Sequence, residues 1–170
     1  MAAQNASEQQ RLVTRRLTQT IGDELRSNSM AEEAEIRQRI ESWAEALRTK
    51  NVDVLMSHYA SEIVIYDLAP PLQYKGAVAY RKNWEDWFPT FQGPVGYEIR
   101  DLNVTTSENV AFCRSLNRIT GTRTSGEDAN VWVRATVGFR KIAGIWMIIH
   151  EHFSVPIDMK TFEGLLGLKP

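Results

Sequence analysis

Cysteine is nearly missing from this chain of 170 residues: Cys113 stands alone inside an apolar run. That excludes an intrachain disulfide framework and any multi-cysteine metal site, and it fits a reducing compartment. Surplus charge is missing as well, since 20 Lys and Arg face 21 Asp and Glu for a formal net charge of -1. A chain without a long-range field is not expected to bind nucleic acid or an anionic membrane, which leaves small molecules and protein chains as partners. No apolar run approaches the roughly 20 residues of a membrane span. The opening MAAQNASEQQ has no signal-peptide core, so a cytoplasmic location is expected. Gly-rich phosphate loops, a Gly-x-Ser-x-Gly elbow and metal-ligand clusters of usual spacing are all absent from the sequence.

What is present has an order. Residues 1–30 are rich in Gln, Ser, Thr and Asn and hold no aromatic. Within them Val13, Leu17, Ile21 and Leu25 recur every four residues, a thin stripe that reads either as a frayed polar tail or as a helix docking on a neighbouring subunit. From Glu32 the pattern broadens, with Ile36, Ile40, Trp43, Ala44 and Leu47 on one face of an amphipathic helix. A short helix is predicted over roughly 52–59, then a β-run Ile63-Val64-Ile65-Tyr66 closed by Asp67 and Pro70-Pro71. A third helix starts near Ala77 after Gly76 and ends at Pro89. Four β-branched and aromatic segments follow, 97–105, 109–120, 129–141 and 145–155, separated by turn signals. Helices first and a long meander afterwards predict an α+β fold with an antiparallel sheet curled around the helices.

The residues able to carry chemistry are scattered. Asp67 ends an apolar strand, where partial desolvation would make a carboxylate a useful base; the alternative is a turn aspartate bonded to its own loop amides. In the last strand His150, His152 and Ser154 alternate with Ile149, Glu151 and Phe153, so one set faces a pocket and the other does not. His150 and His152 could ligate zinc as a metal hydrolase would, but with His58 the only other histidine no metal is expected. They read instead as a polar site or a dimer face together with Ser154. A Glu between two apolar residues needs a partner when buried, and Arg134 on the preceding strand is the expected mate of Glu151.

The layout, and the run HYASEIVIYDLAPPLQYKGAVAYRKNW at 58–84, resembles the SnoaL-like and ketosteroid-isomerase-like branch of the nuclear transport factor 2 superfamily. VAFCRSLNRITGT at 110–122, VWVRATVGFRK at 131–141 and GIWMIIHEHFSVPIDM at 144–159 extend the resemblance over about 31–160. It implies a cone-shaped fold of three N-terminal helices on a curved, mainly antiparallel sheet of cystatin-like type. Residues 1–30 would then be an extension, partly helical or disordered, and 161–170 a tail. It does not imply one activity, since the superfamily holds isomerases, cyclases, dehydratases, epoxide hydrolases and non-catalytic assembly domains.

Set beside ketosteroid isomerase, Asp67 matches the general base. Trp43 falls where that enzyme has its oxyanion tyrosine, and Thr136 where it has its protonated aspartate. Both strong donors are replaced, which argues against steroid isomerisation. The same register implies that Trp132, Arg134 and Thr136 face inward, with Glu151, Phe153 and Ile149 on the last strand. The resulting expectation is a cofactor-independent acid/base enzyme, an isomerase, cyclase, dehydratase or lyase acting on a small, largely apolar substrate. Asp67, Arg134, Glu151 and Thr136 would act in catalysis; Trp43, Tyr59, Trp84, Arg114, Trp132 and Phe153 would line the pocket. A non-catalytic ligand-binding module, or a homodimeric assembly module, of the same fold is the alternative. Nothing in the sequence suggests a redox cofactor.

Overall fold

The computed structural model describes the backbone of residues 2–170 and the side chains of residues 15, 16 and 18–170. The stripe Ile36, Trp43, Ala44 and Leu47 is buried, as its 3.6-residue period requires, and forms the inner face of the last turns of helix α1. That helix runs Ala2–Arg48 without a break, so the amphipathic segment expected from Glu32 is its C-terminal third. Of the earlier stripe, Val13 and Leu17 lie outside the described side chains. Ile21 and Leu25 are 54% and 66% exposed. No helix among the described residues is long and apolar enough to cross a membrane.

After α1 come α2 (Val52–Met56), β1 (Tyr59–Tyr66), β2 (Tyr74–Lys75) and α3 (Ala77–Trp87). A 3-10 turn over Phe88–Thr90 then leads into four long strands, β3 (Phe91–Ser107), β4 (Val110–Arg123), β5 (Asp128–Ile142) and β6 (Ile145–Ser154). The second helix is shorter than expected, because Tyr59 already belongs to β1. The two-residue β2 is too short to leave a periodic signal, and β3 begins six residues before the expected Tyr97.

One six-stranded sheet results, in the order β2-β1-β6-β5-β4-β3. The four long strands form the expected antiparallel meander; the first strand joins it by pairing parallel to the last, Ile65 opposite Glu151 and Tyr66 opposite His152. The helices cover one face, with α1 lying chiefly on β3. Irregular register at 92–96 and 100–103 in β3 lets the long strands bend around that core.

Side-chain facing follows from register, and here the structure differs from the isomerase-derived expectation. On β5 the buried residues are Val133, Ala135 and Phe139, so Trp132, Arg134 and Thr136 point to the outer face. In β6 the register shifts between Gly138 and Phe139 of its partner, leaving Ile149 as an extra residue. That bulge puts Trp146 and Ile148 on the same inner side as Glu151, despite their even and odd numbering.

Candidate active site

A cavity of about 580 Å³ opens between α3, the end of β1 and the inner faces of β4 and β5. Its size lies within the ordinary range for small-molecule sites, roughly 300–1,000 Å³. Helix α3 gives it Tyr80, Asn83, Trp84 and Trp87, spaced i, i+3, i+4 and i+7 and therefore on one face. Trp43 and Tyr97 close the inner end, and the sheet contributes Val131, Val133 and Phe153. The segment expected as a tail also takes part, since Gly164 and Leu166 reach the wall.

Asp67 lies on this wall, two residues beyond Ile65 and so on the inner side of β1's line. Its Oδ1 accepts the Leu68 amide at 2.6 Å, and its Oδ2 accepts the Tyr80 hydroxyl at 3.1 Å and the Asn83 amide at 3.2 Å. Both readings of Asp67 thus have a physical counterpart: it caps its own turn and it faces the cavity. Three donors on about four lone-pair sites leave one for a ligand. Burial pushes the Tyr80 hydroxyl well above its ordinary value, reinforced by the neighbouring Tyr59 and Asp67, so it stays a donor. Tyr80 and Asn83 gave no motif in the sequence; the signal available was the α3 stripe leading into Trp84 and Trp87.

Behind the inner wall runs a second polar chain. Trp43 Nε1 donates to the Tyr59 hydroxyl at 2.8 Å, which donates to Glu151 Oε2 at 2.9 Å. Glu151 is 2% exposed, and desolvation pushes its carboxyl up to about 8, against the Tyr59 hydrogen bond and with the Asp67 charge adding to the rise. It is a neutral acid at pH 7. A void of about 30 Å³ adjoins it, separated from the main cavity by Trp43, Tyr97 and Phe153, which line both. Tyr97 is held in turn by Asn117, whose amide donates to its hydroxyl at 2.7 Å.

The expected Arg134–Glu151 pair does not form. Arg134 is exposed on the outer face, where its Nε donates to Ser154 Oγ at 3.1 Å. Arg114 and Thr136 stand opposite each other on the same outer face, as do Thr136 and His152. Trp132 lies there under the Arg100 guanidinium, 4.7 Å from its ring. Arg114 and Trp132 therefore do not line the cavity, and Ile149 and the expected wall residue Tyr59, which is buried in its bonds to Trp43 and Glu151, line neither void. His150 Nδ1 meets the Val64 carbonyl at 2.7 Å, and the Tyr66 ring packs edge-on against both His150 and His152.

The remaining histidine is structural. His58 is buried between Arg39 and Ser42, and desolvation with the Arg39 charge lowers it to about 4. Cys113 is buried too, its thiol pushed up to about 12 chiefly by desolvation. Among the described residues no three His, Cys, Asp or Glu side chains gather as metal ligands.

The profile of the SnoaL-like domain matches residues 36–158. This chain belongs to the SnoaL-like family. It is 39% identical to a nuclear transport factor 2-like protein of unknown function from Pseudomonas putida, covering 84% of this chain and 99% of that one with a TM-score of 0.77. A ketosteroid isomerase-like protein from Erwinia carotovora atroseptica is 23% identical, with a TM-score of 0.62 over 71% of this chain and 93% of that one. The association domain of the calcium/calmodulin-dependent kinase II of C. elegans is 15% identical, with a TM-score of 0.61 over 75% and 98%. At such identities the last two share the fold alone, and between them they carry an enzyme-like and an assembly label. None of the curated proteins compared with the chain matches it.

Proposed function

We propose that the protein is a cofactor-independent acid/base enzyme, an isomerase, cyclase, dehydratase or related lyase, acting on a small, largely apolar substrate in the 580 Å³ cavity. The observation that carries this reading is Asp67, a carboxylate on an otherwise mostly apolar wall, oriented by Tyr80 and Asn83 with one lone-pair site to spare. Asp67 would take a proton from a carbon next to a carbonyl. The electron pair left behind moves onto the carbonyl oxygen. Return of the proton to another carbon gives isomerisation or ring closure; departure of a β-hydroxyl with the proton gives dehydration. The domain that carries this chemistry is 31–160, with Gly164 and Leu166 from the segment after it completing the wall, and it acts in a reducing cytoplasm.

The test is deuterium incorporation from D2O into a panel of cyclic ketones, β-hydroxyketones and keto acids, read by mass spectrometry. At least one compound should exchange well above the solvent rate, and Asp67→Asn should abolish that exchange while leaving the circular dichroism unchanged. No enzyme-dependent exchange anywhere in the panel, or full exchange in Asp67→Asn, overturns the reading.

One observation favours a second reading, a homodimeric binding or assembly module. Trp43 gives its indole hydrogen to Tyr59, and Thr136 faces outward, so the two positions aligned with the isomerase's donors offer nothing to the cavity. On this reading the outer face carrying His150 and His152 is the dimer contact. Sedimentation would then show a dimer that His150→Ala or His152→Ala dissociates.

A further inference from the structure

Two charged side chains reach the wall of the main cavity among the described residues, Asp67 and Arg123. They differ in how far their bonding capacity is used. Asp67 has three donors. Arg123 lies at the end of β4 with no carboxylate in ion-pair range among the described residues, and its Nη1 donates to Thr90 Oγ1 at 2.7 Å. Its guanidinium carbon sits 3.9 Å from the centre of the Phe91 ring and 5.9 Å from that of Trp87. With Nη1 taken by Thr90 and one face of the group against Phe91, Nε and Nη2 have no acceptor among the described residues, the pair of donors with which a guanidinium grips a carboxylate through two parallel hydrogen bonds.

We propose that the substrate of this cavity carries a carboxylate, received by Arg123 at the end remote from Asp67. Helix α3 supplies the ruler. Tyr80 holds Asp67, and Trp87 lies against Arg123; the seven residues between them rise on the order of 10 Å along the axis. The wall between is apolar, Trp84, Val131 and Val133 among it. The occupant is therefore an elongated acid with an apolar middle, its carboxylate about 10 Å from the carbon that meets Asp67. A phosphate is less suited, because a dianion with a single cation beside it would remain half unpaired in an apolar site.

The inference rests on the acid/base reading for the end of the substrate that reacts, whereas the carboxylate preference can be measured without turnover. Biphenyl-4-carboxylate, biphenyl-4-carboxamide and biphenyl-4-yl phosphate serve as probes with the full chain, their binding read from quenching of the cavity tryptophans. The carboxylate should bind at least tenfold tighter than the amide and tighter than the phosphate. Arg123→Gln should bring acid and amide to within twofold of each other. Arg123→Lys keeps the charge but not the fork, and should lose severalfold of the preference; it also decides the matter if the Gln variant does not fold. In Asp67→Asn the preference should persist. Deuterium exchange that fails while the acid preference stands removes the catalytic reading and leaves this one. Equal affinity for acid and amide, no binding of either, tighter binding of the phosphate, or a preference that survives at Arg123→Gln overturns it.

Discussion

Glu151 and Tyr59 share a hydrogen bond of 2.9 Å in a place that bulk water does not reach, and the acid in it is neutral at pH 7. The bond joins the last strand of the sheet to the first, so whatever changes the protonation of Glu151 acts on the closure of the fold.

The first prediction concerns stability against pH. Glu151 is raised from an ordinary 4.5 to about 8, so the folded chain holds a proton that the unfolded chain gives up. Its contribution is complete below 4.5 and is lost as pH rises through 8, at a slope of at most about 1.4 kcal/mol per pH unit. His58 works in the opposite direction: lowered from 6.5 to about 4, it contributes above 6.5 and loses that contribution as pH falls through 4. The two slopes offset each other between 4.5 and 6.5, leaving a net decline from 6.5 to 8. Urea unfolding midpoints from pH 4 to 9 should show it. Glu151→Gln should remove the decline and leave a curve that rises to about 6.5 and then stays flat; an unchanged decline would show that another group causes it.

A second prediction concerns Gly121, whose φ is 150° and whose missing Cβ would lie 2.9 Å from Phe91 Cδ1. Gly121→Ala must displace the ring on which Arg123 stacks. A loss of about 1–3 kcal/mol is expected, as for an overpacked site, together with weaker binding of the biphenyl acid. Gly126 has a φ of 90° but open space around it, so Gly126→Ala should show only the backbone cost, of about 1 kcal/mol, and normal probe binding. Equal effects at the two sites would count against the stacking account.

The third follows from the outward facing of β5. Arg134→Ala and Arg114→Ala remove exposed groups on the side of the sheet away from the cavity. Probe affinity should stay within twofold of the parent in both, and unfolding free energy within about 0.5 kcal/mol. A tenfold loss of affinity in either variant would mean that the side chain reaches the cavity.

Much of the fold was legible because it is written in period and punctuation. The α1 stripe, the Gly76 start of α3 and the spans of β4, β5 and β6 all follow from them. Asp67 was legible by placement, and Trp43, Trp84 and Phe153 as cavity walls. The facing of β5 departs from the register implied by the isomerase and follows the local alternation of the strand. Val131, Val133, Ala135 and Val137 are uniformly apolar, while the intervening set contains Arg134 and Thr136, and burial follows the apolar set. Arg123 gave no signal, because its role depends on Phe91 and Thr90, which precede it by more than thirty positions. The Ile149 bulge is likewise invisible in composition; it appears only when Gly138 and Phe139 are seen opposite His150 and Ile148.

The parallel pairing of β1 with β6 has a consequence for the order in which the molecule can be assembled. Tyr59 and Glu151 are 92 residues apart in the chain, and the strands that bring them together are the first and last of the sheet. Everything local, the helices and the β3–β4–β5 meander, can form from near neighbours while the chain is still being made. The first strand cannot find its partner until residues 145–154 have left the ribosome, and such long-range pairing is the slow part of folding. Asp67, at the end of that waiting strand, can bond to Tyr80 and Asn83 early, but would meet the part of the wall built by β4 and β5 only at the last step.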